Sequence, residues 1–196
     1  DAVVSRGLGD VYKRQVHRDF RKPLVLMTPK SLLRNKLCTS KIEDFTNGSS
    51  FHRVLWDDAE KGSSSTELAN DKNIRRVVMC SGKVYFDLLE ERDARGLNDI
   101  YLLRFEQFYP FPAMSALKEL ERFQNAEMVW CQEEPKNQGA WSFMEPNIEW
   151  VLSRMNAKFK RPIYVGRPTS ASPATGLASQ HKEQQKLLVE EALNLK

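Results

Sequence analysis

The sequence predicts an α/β domain built as a three-layer, doubly wound and mostly parallel sheet. Short apolar runs bounded by proline, glycine and polar residues are typical of buried strands, and segments with apolar residues at helical spacing separate them. Strands that alternate with helices favour parallel pairing through right-handed crossovers. The chain has 196 residues, of which 41% are hydrophobic, and this suits one main core.

Composition argues against several classes of protein. The 30 basic and 26 acidic residues give a net charge of +4, and the two signs are interspersed, whereas nucleic-acid binding favours a one-signed patch. No apolar run approaches the roughly 18 residues of a membrane span. The three cysteines, Cys38, Cys80 and Cys131, lack the paired spacing of zinc ligands. We therefore expect no nucleic-acid, membrane or metal site, and cysteines that stay reduced.

The first third of the chain is less regular than the rest. Residues 1–13 contain DAVVSRGLGDVY, which resembles translated sequencing-adapter sequence, and we expect them to be non-native. Residues 22–29 form an apolar run bounded by prolines, which predicts a strand. Residues 51–56 predict a brief strand or edge segment. The acidic, serine-rich part of residues 37–73 predicts a linker and surface loop.

From residue 74 onward, predicted strands and helices alternate. The strands are predicted at residues 74–80, 99–105, 127–132 and 162–165. The helices are predicted at residues 84–95, 113–123, 139–155 and 180–195, the third with an interruption at Pro146. The apolar spacing places these side chains inward: Val84, Phe86, Leu88, Leu89, Met114, Leu117, Leu120, Phe123, Leu187, Leu188, Ala192 and Leu195. Three aromatic side chains, Trp141, Phe143 and Trp150, suit either the core or an interface, and the core is favoured.

Two stretches carry candidate chemistry. The sequence SGK that ends at Lys83 joins a strand to a helix, but its spacing is not that of a P-loop. Lys83 is interpreted either as a solvated lysine or as a contact for an anion at the helix start. Glu133 and Glu134 are adjacent and point to opposite faces of an extended chain. Pairing of one of them with Arg104 is therefore favoured over an acid–base pair.

The three histidines are isolated from other reactive residues. His17, His52 and His181 have no serine, cysteine or aspartate at the spacing of a nucleophile arrangement. We expect His181 to be a solvated helix residue. The sequence thus predicts no catalytic residue and no metal ligand in this chain.

Five blocks of sequence carry a family resemblance. They are RKPLVLMTPKSLLR at residues 21–34, RVVMCSGKVYFDLL at 76–89, RFEQFYPFP at 104–112, WCQEEPKNQGAW at 130–141 and YVGRPTSASPATG at 164–176. In this combination they are similar to the C-terminal region of the thiamine-dependent first component of 2-oxoglutarate dehydrogenase complexes. The resemblance extends from about residue 14 to residue 196.

The resemblance implies a domain like the C-terminal domain of transketolases at residues 74–196, with residues 14–36 as the end of a preceding pyrimidine-side domain. Enzymes of this family decarboxylate 2-oxoglutarate and pass the succinyl group to the lipoyl arm of a dihydrolipoyl succinyltransferase. They are homodimers, and they bind thiamine diphosphate and magnesium upstream of the region matched here. We therefore expect no cofactor-binding residue in this chain, and we expect the chain alone to be inactive. The expected location is the bacterial cytoplasm, or the mitochondrial matrix in a eukaryote.

An effector site is a further implication, because relatives use this region to help bind acetyl-coenzyme A. The matching residues are Arg14 and Gln107, and the departures are Ser50, Arg53, Met114 and Ser115. Ser50 stands where the resemblance implies a lysine and Arg53 where it implies a serine, while Met114 and Ser115 replace a pair of arginines that would hold phosphate. Since bidentate phosphate contacts are lost, acetyl-coenzyme A is not expected to bind. A nucleotide such as AMP remains an alternative, contacted by Lys83, Arg104 and Gln138.

Two other interpretations stay open. The chain could be a stand-alone nucleotide-binding regulatory module, which would need a native start near Arg14 and a folded monomer. It could also belong to a different transketolase-like thiamine enzyme, although such enzymes are not expected to share the EEPKNQGAW and RPTSASPATG blocks.

Overall fold

The computed structural model describes residues 19, 28–46, 48, 50–60, 62 and 64–194. Contacts divide the chain into two units, Asp1–His52 and Arg53–Lys196. The predictions made for residues 1–13, for Arg14 and for most of the strand at residues 22–29 lie outside the described residues.

The described part of the first unit contains two short 3-10 helices, Lys30–Arg34 and Ile42–Phe45. The backbone N–H of Lys41 donates to the carboxylate of Asp44 at 3.2 Å. This side-chain bond satisfies one of the amides at the start of the second turn.

The second unit is organised around a five-stranded sheet with the order β1-β3-β2-β4-β5. The strands are β1 at Val54–Leu55, β2 at Arg76–Cys80, β3 at Ile100–Phe105, β4 at Glu127–Pro135 and β5 at Ile163–Arg167. Strands β2 to β5 are parallel to one another, while β1 pairs antiparallel with β3 at the edge. The predicted α/β class and mostly parallel sheet are therefore confirmed. The strands form from apolar runs such as β2, which is buried throughout.

In the described part of the second unit, four α-helices connect and cover the strands. They are α1 at Val84–Ala94, α2 at Ala113–Leu120, α3 at Trp141–Arg154 and α4 at Ala178–Ala192, and a 3-10 turn at Glu121–Phe123 extends α2. The predicted interruption of α3 is wrong, since the helix continues through Pro146. Pro146 lies on the exposed side of α3, where the carbonyl freed by its missing N–H can meet water.

The main core lies between the sheet and the α2–α3 layer. Tyr101, Phe105 and Trp130 project from the strands against residues such as Leu120 and Ile148 of these helices. Alternate strand residues face the other layer, where Arg76 of β2 donates to two carbonyls near the end of α4. The sheet is thus covered on both faces, as the three-layer prediction required.

Several predicted core positions are wrong. Met114 is 72% exposed and Leu187 is 57% exposed, and Phe143 and Trp150 are also exposed. The helical rotation explains the first case, because α2 turns Ala116 and Leu120 inward and Met114 lies about 200° around the axis from Ala116. The same cause explains the exposure of Leu187, Phe143 and Trp150. Each lies beside the inward stripe of its helix, on a flank that no other described element covers.

Several other predicted core positions are confirmed. Val84, Phe86, Leu88, Leu89, Leu120, Phe123, Trp141, Leu188 and Ala192 are buried. Leu195 lies outside the described residues. Among the described residues, no helix has the length and hydropathy needed to cross a membrane.

Candidate functional site

The carboxyl ends of the parallel strands carry the polar residues singled out in the sequence. Lys83 follows β2, Arg104 is the penultimate residue of β3, and Gln138 follows β4. Since these strands are neighbours in the sheet, the three residues belong to one edge, which is where ligands bind in open α/β sheets.

Gln132 holds together the turn that follows β4. Its side-chain carbonyl accepts hydrogen bonds from the Trp130 indole and from the Trp141 backbone N–H, both at 3.0 Å. Its Nε2 lies 2.8 Å from the Gln138 carbonyl and also donates to the carbonyls of Glu134 and Pro135. One buried amide therefore fixes the turn and the start of α3.

Lys83 is engaged by carboxylates of the protein. Its Nζ lies 2.7 Å from Asp87 and 3.0 Å from Glu133. Burial acts to lower the pKa of Lys83, but the hydrogen bonds and charges of Asp87 and Glu133 outweigh it and raise the pKa. The predicted pairing of a glutamate with Arg104 is wrong, because Glu133 faces Lys83 across the β2–β4 edge, while Glu134 points outward.

Arg104 is a buried arginine that stacks on an aromatic ring. Its guanidinium carbon lies 4.0 Å from the centre of the Tyr85 ring, and its terminal nitrogen is 4.0 Å from Asp58. The Nε atom has no hydrogen-bond partner among the described residues. Stacking and the nearby carboxylate together account for a charge held at 7% exposure.

The remaining predicted effector residues bind the protein's own backbone. Gln107 donates to the Pro110 carbonyl at 2.8 Å, and Gln138 donates to the Ser170 carbonyl at 3.0 Å. Arg14 lies outside the described residues. The structure brings Lys83, Arg104 and Gln138 to one edge, and a nucleotide contacted by them stays a prediction.

Cys80 and Cys131 are fully buried and reduced. Burial raises the pKa of both thiols, so neither forms the thiolate that a nucleophile needs at neutral pH. Within the described ranges, no group of three histidine, cysteine or carboxylate side chains is placed to hold a metal ion.

A buried ion pair that sequence reasoning missed joins the segment after β1 to α1. Arg92 donates to Asp57, and both side chains are inaccessible to solvent. Asp57 also accepts the backbone N–H of Leu102 in β3 at 2.7 Å. Asp93 and Ser64 accept further bonds from Arg92, so the segment predicted as a surface loop is anchored here. The sequence feature that could have indicated this ion pair is Arg92, an arginine inside an otherwise apolar helical stripe.

A second missed cluster lies at the end of β5. Arg167 is 8% exposed, and its terminal nitrogen lies 2.8 Å from Nδ1 of His181 in α4. The prediction of a solvated His181 is wrong, since the ring is half-buried against Arg167. The available sequence signal was an arginine at a strand end, 14 residues before His181, followed by a helical pattern in which His181 precedes Leu188 by two turns.

These features define a class: a parallel α/β domain with helices on both faces and a polar carboxyl edge, whose described residues include no activated nucleophile. The chain belongs to the 2-oxoglutarate dehydrogenase C-terminal family, whose model matches residues 39–193. Proteins named 2-oxoglutarate dehydrogenase E1 component from Brucella anthropi, Brucella ovis and Brucella melitensis are each 58% identical to it over 184 residues. The match covers 93% of this chain and 18% of each relative. The chain thus spans less than a fifth of the length of these relatives, and the resemblance stated from its sequence blocks is confirmed.

Proposed function

We propose that this chain is the C-terminal structural and regulatory part of a 2-oxoglutarate dehydrogenase, the enzyme that decarboxylates 2-oxoglutarate oxidatively and transfers succinyl to a lipoyl carrier. The single observation that carries the proposal is the 58% identity with E1 components over 93% of the chain.

In this proposal, thiamine diphosphate and magnesium bind to the part of the enzyme that lies outside this chain. The whole enzyme is a homodimer and works with the dihydrolipoyl succinyltransferase of its complex. The proposed location is the bacterial cytoplasm, or the mitochondrial matrix if the source is a eukaryote. The work of this domain is to support the active-site domains and to sense a ligand at its carboxyl edge.

The test compares two polypeptides made from one gene. The chain alone, and the chain joined to the reading frame found upstream of it, are assayed for succinyl transfer from 2-oxoglutarate to a lipoylated carrier domain. We expect turnover from the longer polypeptide supplied with thiamine diphosphate and magnesium, and none from the chain alone.

Two outcomes would contradict the proposal. One is turnover of 2-oxoglutarate by the chain alone, which would place catalytic residues inside it. The other is a complete gene that starts near Arg14 and yields a folded monomer on size exclusion, because that result would favour the stand-alone nucleotide-binding module.

A further inference from the structure

The first turn of α4 presents backbone amides without an internal acceptor. The helix has 15 residues, its N-cap residue Leu177 makes no side-chain capping bond, and its first turn contains no acidic residue. The His181 N–H already bonds to the Leu177 carbonyl, whereas the N–H groups of Ala178, Ser179 and Gln180 precede the helical bonding pattern. These three residues are exposed, and the positive end of the helix dipole lies at their amides.

Arg167 brings a buried positive charge to the same turn. The residue is 8% exposed, and its guanidinium meets His181, the fourth residue of α4, at 2.8 Å. Because arginine can only donate, Nδ1 of His181 is the acceptor. Within the described residues, the Nε of Arg167 has no partner and no carboxylate forms an ion pair with the guanidinium.

The other buried arginines, two in the sheet and one in α1, each have a carboxylate nearby, unlike Arg167. Arg76 lies 2.7 Å from Glu127, Arg92 pairs with Asp57 and Asp93, and Arg104 has Asp58 at 4.0 Å. A buried charge without a counter-ion is costly. An anion supplied from outside the described chain would therefore complete the surroundings of Arg167.

Thr175 adds a hydroxyl to this turn. Its Oγ1 is buried and has no hydrogen-bond partner among the described residues, and Thr175 stands two residues before the N-cap of α4. The loop between β5 and α4 is held in place, because Asn137 and Gln138 both donate to the Ser170 carbonyl at 3.0 Å. The Ser170 N–H returns a bond to the side chain of Asn137 at 3.1 Å.

We propose that the N-terminal turn of α4, Arg167 and Thr175 form a binding site for the phosphate group of a small molecule. The donors are three backbone amides, a guanidinium and a hydroxyl, which suit the three free oxygens of a phosphate ester better than the two of a carboxylate. The site is built on β5 and α4 from residues other than Lys83 and Arg104, whose charges already face Asp87, Glu133 and Asp58. It does not depend on the proposed enzyme, since every residue belongs to this chain.

The experiment is a titration of the 196-residue chain with inorganic phosphate and with AMP, followed by amide chemical shifts at constant ionic strength in chloride. We expect saturable shifts centred on Ser179 and Gln180. Arg167→Gln should weaken the binding about tenfold or more, because a hydrogen bond to a charged group is lost. Arg161→Gln is the matched control: Arg161 is an exposed arginine paired with Glu149, and its loss should leave the affinity unchanged.

A second variant and two further ligands test the same site independently. If Arg167→Gln does not fold, Thr175→Val should still fold and weaken binding about threefold to tenfold. Shifts that rise linearly without saturation, or that fall equally with Arg161→Gln, would overturn the site. Succinate that binds as tightly as phosphate would overturn its assignment to phosphate, while a clear preference for AMP over inorganic phosphate would support an ester ligand.

Discussion

Arg92 and Arg167 are both buried at the ends of secondary-structure elements, yet their surroundings differ. Arg92 is inaccessible to solvent and donates to Asp57, Asp93 and Ser64. Arg167 meets the imidazole of His181, and its Nε has no partner among the described residues. In the first cluster the guanidinium faces two carboxylates, whereas within the described part of the chain no carboxylate pairs with the guanidinium of the second.

The difference separates an arginine that holds the fold from one that is available to a ligand. The Arg92 network joins α1 to β3, since Asp57 also accepts the Leu102 amide. The Arg167 cluster joins the end of β5 to an uncapped helix start that remains exposed. Four changes test this contrast through the free energy of unfolding.

The largest effect is expected for Arg92→Met. The substitution leaves the Asp57 carboxylate buried and unpaired, so we expect a loss of about 3–5 kcal/mol in the free energy of unfolding. Urea denaturation followed by tryptophan fluorescence measures it. Arg95→Met, which breaks an exposed pair with Glu91, is the control and should cost well under about 1 kcal/mol. Equal losses for the two variants would refute the importance of the buried pair.

Gly166→Ala tests how tightly the end of β5 is packed. A Cβ at Gly166 would lie 2.6 Å from the Gln132 carbonyl oxygen and 2.5 Å from the Tyr164 hydroxyl, so strain of about 1–3 kcal/mol is expected. Gly176→Ala is the matched control, because a Cβ there meets no atom within 4 Å. Thermal unfolding of the two variants should separate them, and a neutral Gly166→Ala would show that β5 moves to make room.

Asp93→Asn tests the Arg92 network through pH. Burial opposes ionisation of Asp93, but the hydrogen bonds of Ser64 and Thr66 and the charge of Arg92 outweigh it and lower the pKa of Asp93. A carboxyl with a lowered pKa in the folded state stabilises the protein above its ordinary pKa, and this contribution is lost as the pH falls through the folded-state value. The variant should therefore show a slope with pH smaller by up to about 1.4 kcal/mol per unit below about pH 4. Identical slopes for variant and parent in acid denaturation would contradict this.

The smallest effect is expected for Arg167→Met. No carboxylate is left unpaired when this guanidinium is removed, so the change in the free energy of unfolding should stay within about 1 kcal/mol in phosphate-free buffer. The comparison with Arg92→Met under the same denaturation conditions is the measurement. A loss as large as that of Arg92→Met would show that Arg167 has a structural role as well.

The sequence was sufficient for the strands and the class of fold because each strand is a contiguous apolar run. Burial on both faces makes β2 readable without any knowledge of its neighbours. It was sufficient for the carboxyl-edge position of Lys83 and Arg104, since the ends of parallel strands share one edge. The ion pairs of Lys83 and Arg104 could not be predicted from the sequence. Glu133 reaches Lys83 across two strands whose order the sequence does not specify.

The two arginine clusters were not predicted because each depends on residues far apart in the chain. Arg92 and Asp57 are brought together by the segment that follows β1, and no local periodicity marks it. Arg167 and His181 meet because α4 returns across the end of β5. The prediction that Met114 faces the core was wrong for a different reason. In a helix of eight residues, Ala116 and Leu120 supply the inward contacts, and apolar character alone does not fix the rotation of the helix about its axis.

Gln132 has a consequence for substitution at the centre of the carboxyl edge. Its side-chain oxygen accepts two hydrogen bonds, and the two hydrogens of its Nε2 are shared among three carbonyls. Glutamate would keep the accepting oxygen but turn a second, negatively charged oxygen towards the three carbonyls. Leucine would fill the volume but leave all five polar groups without this hydrogen-bond partner. Neither charge nor size can replace an amide there, so the identity of a single atom, nitrogen rather than oxygen, decides whether the chain can make this bend.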